Sequence, residues 1–442
     1  MVKLSYKFDR LLPKRVLVIG DFMLDKYTHG EVNRISPEAP VSILKVLKEK
    51  SLPGGAGNVA LNLAALGCQV SVLGRVGNDI FGMELGELLH KEGICIKGLI
   101  TQNRFKTPLK NRLIANSQQM LRVDIEEVNP LQTALQKEII QKLPKLLENI
   151  DIVAISDYNK GFLTNAILSE VITESNNKNI PVIVDPKGRD FSKYKYANII
   201  KPNLKELFEA AKLDSYSIED AAKVVLKQTQ ADILLITRSE KGITIFDKDF
   251  NRSDFPVLSK QVIDVTGAGD TVLAILALSI ANDFRIDEAA CLANVAASIA
   301  IKQLGCARIT LCDLASRLLK ADINNKVFEE DHLYAFKQVL KDKNFSLLSV
   351  KAEEGMSFTL FNTICEMSEK DHMVVIYIKD EESSDFIKML SSLSEVDFIV
   401  LQKDNLQSLC AEIKPKNVCI IENNKSVQFT GNSIKSLLES VL

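Results

Sequence analysis

In the octapeptide Asp264-Val265-Thr266-Gly267-Ala268-Gly269-Asp270-Thr271, two glycines flank an alanine and a carboxylate follows at once. The apolar run Val272 to Ala281 after it reads as a buried helix. A glycine-rich turn that opens a helix aims several backbone N–H groups at one point, and the helix dipole adds positive potential there. The N–H groups of Gly267, Ala268 and Gly269 can therefore hold an anion. A carboxylate beside an anion hole costs repulsion, and no basic residue is close to Asp270 in sequence. Taking a proton from a hydroxyl that attacks a phosphate accounts for that cost and makes Asp270 a candidate general base. The same letters also suit a plain turn with Asp270 as an N-cap.

Further candidates lie upstream. Asp21 and Asp25 follow the short apolar run Arg15 to Gly20, a placement that suits hydrogen bonds to sugar hydroxyls as well as ordinary loop polarity. In Pro53-Gly54-Gly55-Ala56-Gly57-Asn58 the glycines permit close backbone approach to a ligand, and Asn58 can donate and accept. A simple glycine-rich turn explains the same stretch. Arg112 and Arg122 bracket Gln118 and Gln119, which fits a grip on a phosphate or, equally, a solvated strand face. No G-x-G-x-x-G follows the first apolar run, so a dinucleotide fingerprint is absent there.

The elements that must position these groups follow a rhythm. Arg15 to Gly20 reads as a buried strand, Val41 to Val46 as a strand with one wet face, and Val59 to Leu66 as a helix. From residue 152 onward, Ile152 to Ser156, Pro181 to Val184, Asn198 to Lys201 and Asp232 to Thr237 read as strands, each ending in polar residues. Apolar strands alternating with helices predict a mostly parallel α/β sheet, with ligands at the carboxyl edge. At 442 residues the chain suggests more than one domain. A net charge of −2 argues against a nucleic-acid or anionic-membrane partner. The longest apolar run falls short of the ~20 residues that span a bilayer, and the polar Met1 to Lys14 does not read as a signal peptide. Eight cysteines without C-x-x-C read as reduced residues of a cytoplasmic protein, and the four histidines form no metal-binding pair.

With these stretches in order, residues 10 to 315 resemble the ribokinase-like (PfkB) carbohydrate kinases. Gly-Ala-Gly-Asp at 267–270, Asn203-Leu204-Lys205-Glu206 and Gly54-Gly55 with Asn58 fit the signatures of that family. Gly20 to Asp25, Arg34-Ile-Ser-Pro-Glu-Ala-Pro-Val41, Ser156 to Gly161, Asp185 to Gly188 and Thr237 to Gly242 are similar to one branch, the D-glycero-β-D-manno-heptose-7-phosphate kinases. The resemblance implies a ribokinase-like sheet with a small β lid, and transfer of the γ-phosphate of ATP to the anomeric hydroxyl. It implies Mg2+ reached from Asn203 and Glu206 through water, with Lys187 and Arg238 near the phosphates and Asn294 at the adenine. It further implies that Asp21, Asp25, Gly54, Gly55 and Asn58 orient the sugar, while Arg34, Lys110, Arg112 and Arg122 hold its phosphate. Asn116 stands where an arginine is expected. A homodimer through the lid strands is expected by analogy. Kinases of another sugar, or a non-catalytic scaffold, are the rival readings.

The expected division is a kinase domain at 1–318, a linker at 319–340 and a smaller α/β domain at 341–442. The order of that last part resembles the nucleotidyltransferase domain that many heptose kinases carry. Its H-x-G-H motif is missing, because residues 347–362 contain no histidine. His372, just ahead of a strand at 373–378, reads as a strand-edge residue. Strands are also expected at 396–400 and 413–421. With 11 basic and 16 acidic residues from Lys341 onward, this domain is expected to fold but to lack the transfer chemistry.

Overall fold

A computed structural model describes residues 8, 10–115, 118–213, 217–257, 264–302, 305, 308–321, 326–328, 337, 339–340, 343–371, 373–379, 384–401 and 406–430. Asn116 and His372 lie outside the described residues. Two compact units emerge. One is Leu11–Thr310; the other takes in the described residues from Leu311 onward with Phe8 and Arg10. The expected limit at 318 falls inside a helix, Leu311–Ala321.

In the first unit the strands are β1 (Arg15–Gly20), β2 (Phe22–Ile35), β3 (Ser42–Gly55), β4 (Gln69–Gly77), β5 (Cys95–Gln102), β6 (Leu109–Ala115) and β7 (Gln118–Ile125). They continue with β8 (Ile152–Ser156), β9 (Val182–Asp185), β10 (Ile199–Ile200), β11 (Ile233–Thr237), β12 (Ile243–Asp247) and β13 (Arg252–Phe255). The helices are α1 (Ala56–Ala65), α2 (Ile80–Lys91), α3 (Thr133–Leu146), α4 (Asn165–Asn177), α5 (Leu204–Ala211), α6 (Ile218–Thr229), α7 (Ala268–Ala281) and α8 (Ile286–Ala300).

Among the described residues nine strands form the main sheet, in the order β13-β12-β11-β10-β9-β8-β1-β4-β5. All its pairs from β5 to β11 are parallel, and β12 and β13 close one edge antiparallel. The chain leaves β1 for β4 on one side and returns to β8 on the other, so strand order reverses at the β1–β8 pair. The carboxyl ends there open a crevice at a topological switch point. Leu17, Ile19, Val153, Ile155, Val182 and Val184 pack into the core from these strands. Strands buried on both faces read as continuous apolar runs, which is why they were legible.

Four strands, β3-β2-β6-β7, form the lid sheet. Asp25 lies in a strand, not a loop: β2 starts at Phe22, and β3 continues through Pro53 to Gly55 as its antiparallel partner. The lid leaves several apolar side chains exposed, among them Ile35, Val46, Leu47, Met120 and Leu121. Helix α7 is buried along Asp270–Ser279 and packs between α1 and α8. A helix buried on every side must be apolar all round, as this one is.

The second unit has α9 (Leu311–Ala321), β14 (Val327–Phe328), β15 (Ser346–Val350), α10 (Phe358–Asp371), β16 (Val374–Ile378), α11 (Ser384–Ser392), β17 (Phe398–Leu401), α12 (Leu406–Ile413), β18 (Asn417–Glu422) and β19 (Lys425–Thr430). Its sheet runs β14-β17-β16-β15-β18-β19, parallel except for β19. The strand expected at 413–421 begins at Asn417, because Ile413 closes α12 and Lys414 then takes a left-handed conformation. The apolar core, with Leu348, Ile364, Ile376, Ile399 and Cys419, confirms a folded domain. Among the described residues seven cysteines are free, and no described helix is long and apolar enough to cross a membrane.

Candidate active site

Gly267 adopts a left-handed conformation (φ 76°) that lets the octapeptide turn into α7. Asp264 ties the turn together: its Oδ1 accepts from the Thr266 N–H and hydroxyl at 2.9 and 2.7 Å, and its Oδ2 accepts from the Gly305 N–H at 2.9 Å. Burial works against the Asp264 charge, but these donors and the nearby Arg112 outweigh it and lower its pKa. The first i→i−4 bond of α7 runs from Thr271 N–H to Gly267, so the N–H groups of Gly269 and Asp270 precede it. The Ala268 N–H donates to Val265 at 3.2 Å and is committed to the turn. Of the three donors expected for the anion hole, this one already has a partner.

Asp270 is buried, at 5% exposure. The Asn58 Nδ2 donates to its Oδ2 at 2.7 Å and the Tyr158 hydroxyl donates to its Oδ1 at 2.9 Å. Burial pushes its pKa up to about 6, with Asp185 adding to the rise and Asn58, Tyr158 and Lys201 opposing it. Such a carboxylate is ionised at neutral pH yet basic enough to take a proton, which is what a general base needs. It does not serve as an N-cap: Gly267 holds that position. The positive charge that sequence proximity could not show comes from Lys201, buried and paired with Asp185 at 2.9 Å. Both reach toward Gly269: a Cβ there would lie 3.8 Å from Lys201 Nζ and 3.9 Å from Asp185 Oδ2.

Asn203 and Glu206 start α5 as a capping box. Asn203 Oδ1 accepts from the Glu206 N–H at 2.9 Å, and Glu206 Oε2 accepts from the Asn203 N–H at 3.0 Å. Glu206 Oε1 also accepts from Lys187 Nζ at 2.6 Å. Burial works against the Lys187 ammonium, but the Glu206 carboxylate outweighs it and the pKa is raised. With both carboxylate oxygens already accepting, the pair fits a hydrated cation held through water better than direct coordination. Among the described residues no three His, Cys, Asp or Glu cluster as a metal site.

The structure gives several candidates partners within the protein. Asp21 accepts from the Tyr158 and Lys160 N–H groups, each at 3.0 Å, and so holds the loop after β8. Burial and the neighbouring Asp157 raise its pKa. Gly54 lies against the Asp25 carboxylate and Gly55 against the Asp21 backbone carbonyl, not open space. A Cβ on Gly54 would lie 2.1 Å from Asp25 Oδ2, and one on Gly55, at φ 57°, would lie 2.6 Å from the Asp21 carbonyl. Asp25 pairs with Arg112, whose guanidinium also lies over the Tyr27 ring. Arg122 stands directly opposite Arg112 across the β6–β7 pair, on the same face, and is paired with Asp124. Lys110 lies 5.7 Å from the Tyr158 ring centre. Arg34 is exposed near the far end of β2. Arg238 pairs with Asp254 at 2.9 Å, and Asn294 donates to the Phe255 carbonyl at 2.8 Å.

Three partners were not foreseen: Tyr158, Lys201 and Arg75. Arg75 is buried, stacks on Phe105 at 3.9 Å, and donates to Gln102 and to the carbonyls of Asn129 and Lys160. Burial lowers its pKa to about 10 against the pull of Asp21. It braces from below the loop that carries Tyr158.

Comparison with known proteins follows this geometry. Residues 13–311 match the model of the pfkB family carbohydrate kinases. The chain is 38% identical over 425 residues to the bifunctional protein HldE of Aliarcobacter butzleri, covering 90% of this chain and 88% of that one. It is 41% identical over 325 residues to the HldE of Trichlorobacter lovleyi, covering 72% and 66%. Among solved structures, ribokinase of Arabidopsis thaliana complexed with ribose and ATP matches 70% of this chain and 99% of its own at a TM-score of 0.54 and 20% identity. The tetrameric inhibited form of phosphofructokinase-2 from Escherichia coli matches 70% and 100% at 0.58 and 19%. The ribokinase-like fold is thus shared with these structures, and this chain belongs to the pfkB family of ATP-dependent carbohydrate kinases.

Proposed function

We propose that this chain phosphorylates D-glycero-β-D-manno-heptose 7-phosphate at its anomeric hydroxyl to give the 1,7-bisphosphate, on the route to ADP-heptose and the lipopolysaccharide core. The observation that carries the reading is Asp270, a buried carboxylate with its pKa near 6, aimed by Asn58 and Tyr158 at the start of an anion-binding helix. In this mechanism the hydroxyl oxygen attacks the γ-phosphorus, its proton passes to Asp270, and the bond to the β-phosphate bridging oxygen breaks to release ADP. The N–H groups at the start of α7, with Lys201 beside them, stabilise the charge on the migrating group. Mg2+, when bound, would neutralise charge on the triphosphate; Asn203 and Glu206 would hold it through water, and Lys187 and Arg238 are further cationic candidates for the phosphates.

Arg112 and Arg122 support the sugar-phosphate reading. Like charges directly opposite on neighbouring strands repel, and each of these two is balanced by its own aspartate. A phosphate between them would replace those partners. Lys110 and Arg34 complete the proposed phosphate set, Asp21 and Asp25 face the sugar through the loop and lid they hold, and Asn294 lies at the adenine. We assign the protein to the cytoplasm and to a homodimer joined through the lid strands, whose exposed apolar side chains would be covered there. The second unit is a nucleotidyltransferase-like domain without transfer chemistry. At its sheet's carboxyl edge Glu422 pairs with Lys379 at 3.0 Å and with Lys351 at 3.9 Å, and Glu354 accepts from the Asn423 N–H at 3.0 Å. The edge where a triphosphate would enter is held by the domain's own charges.

The test is ATP turnover with heptose 7-phosphate against a panel of free and phosphorylated sugars, with the product anomer read by phosphorus NMR. Preference for another sugar in kcat/KM would replace the heptose assignment while leaving the kinase chemistry intact.

A further inference from the structure

Helix α1 carries two asparagines one turn apart, Asn58 and Asn62, each 1% exposed. Asn58 touches the base. Asn62 does not, yet it sits among Val59, Ala60, Leu61 and Leu63 in the helix interior, where an amide is costly and an apolar residue would pack. Its contacts have a direction. The Ile309 backbone N–H, which can only donate, reaches Asn62 Oδ1 at 3.3 Å. That leaves Asn62 Nδ2 to donate, and it is shared between the Asn58 carbonyl at 3.0 Å and Asn58 Oδ1 at 3.4 Å. Asn58 Oδ1 is thereby used as an acceptor, and Asn58 Nδ2 is left facing Asp270 Oδ2 at 2.7 Å.

An asparagine amide has nearly the same shape in either orientation. Turned over, Asn58 would put its carbonyl oxygen against the Asp270 carboxylate, lone pair to negative charge. The Asp270 carboxylate itself disfavours that state, and Asn62 opposes it from the other side. We infer that Asn62 is a positioning residue for phosphoryl transfer: with Ile309 as its fixed reference, it holds the Asn58 amide with Nδ2 toward Asp270. This rests on the reading of Asp270 as the base. The groups that face Asp270 are Asn58 from α1, Tyr158 from the loop after β8, Asp185 from β9 and Lys201 after β10. Asn58 and the Tyr158 hydroxyl can each donate or accept, and Asn58 is the one whose amide oxygen Asn62 engages.

The experiment measures kcat/KM for the sugar substrate against pH in the full-length protein. It compares the parent with Asn58→Ala, Asn62→Leu, Asn62→Ser and the double variant Asn58→Ala/Asn62→Leu. Loss of a donor disfavours the ionised base, so each single variant should move the acid limb upward by about one pH unit. KM for ATP should stay within about twofold, since only the base is disturbed. In the Asn58→Ala background the Asn62 change should move the limb no further, because its effect passes through Asn58. Circular dichroism checks folding; if Asn62→Leu does not fold, Asn62→Ser decides. The proposal is overturned if Asn58→Ala moves the limb while a folded Asn62 variant leaves it in place, or if the two shifts add. A parent profile with no acid limb near pH 6 removes the reading of Asp270 itself, and the proposal with it.

Discussion

Replacing Asp270 by Asn should lower activity and raise stability in the same molecule. The side chain keeps its shape and its partners. Its oxygen can still accept from Asn58 Nδ2, and its new NH2 can donate to the Tyr158 hydroxyl, which turns from donor to acceptor. Without a base, kcat should fall about 10²- to 10⁴-fold. Stability moves the other way because burial has lifted the Asp270 pKa from 3.8 to about 6. A carboxyl group with a raised folded-state pKa adds stability below its unfolded value, and that contribution is lost as pH rises through about 6. Above that pH the fold carries a charge it disfavours. A rise of about two pKa units corresponds to about 3 kcal/mol. Asparagine avoids that cost. At roughly 2–4 °C per kcal/mol for chains of a few hundred residues, the variant should melt several degrees higher at pH 7.5. The gain should shrink toward zero near pH 4. Because the chain has two units, calorimetry should follow the transition that ATP shifts, which reports the kinase unit. Turnover within about threefold of the parent, far above the range for base loss, would refute the reasoning. So would a melting temperature that falls equally at pH 4.5 and 7.5.

Other consequences are equally direct. Gly54→Ala places a methyl group 2.1 Å from Asp25 Oδ2 and should cost about 1–3 kcal/mol while raising KM for the sugar more than for ATP; unchanged melting and unchanged KM would show that Asp25 moves freely. Arg112→Ala should raise KM for the sugar phosphate about ten- to hundredfold through loss of a charged hydrogen bond, and equal effects on both substrates would count against a phosphate grip. Glu206→Gln keeps a capping-box residue but frees Lys187 of its countercharge, so the Mg2+ concentration for half-maximal rate should rise with little change in melting; an unchanged Mg2+ dependence removes Glu206 from the cation site. Incubation with heptose 1-phosphate and ATP or CTP should release no pyrophosphate above a control truncated near Asp322; sustained release would overturn the silent second unit.

The fold was legible where local rules and tertiary needs agreed. Strands β8, β9 and β11 are short apolar runs ended by polar residues, and the buried α7 is apolar all round, so pattern sufficed for both. The lid was harder to read. Pro53-Gly54-Gly55 looks like a turn, yet it extends β3, because small residues are what let β3 lie against Asp21 and Asp25. The glycines suggested close approach to a ligand; in the structure Gly54 lies against the Asp25 carboxylate and Gly55 against the Asp21 backbone carbonyl. At the site, Asp270 stood out from its neighbours in sequence. Its partners did not, since nothing in local spacing joins residue 270 to 58, 158 or 201. Asn203 and Glu206 show the converse: one spacing, i to i+3, suits both the capping box that the structure shows and the proposed cation site, and sequence alone cannot separate them.

On the proposed reading of the second unit as a silent nucleotidyltransferase-like domain, the charge cluster at the carboxyl edge of its sheet bears on whether transfer chemistry could be regained. Restoring two histidines between residues 347 and 362 would supply the missing imidazoles, yet they would face a mouth in which Lys351 and Lys379 remain bound to Glu422. An incoming triphosphate would have to break both pairs and then meet the Glu422 carboxylate it had uncovered. Glu354 would add a second like charge. On that reading each single reversion would give no function on which selection could act, and only a joint change of histidines and acidic residues would. The self-paired edge would then work as a ratchet, closing each single-residue route back to transfer chemistry.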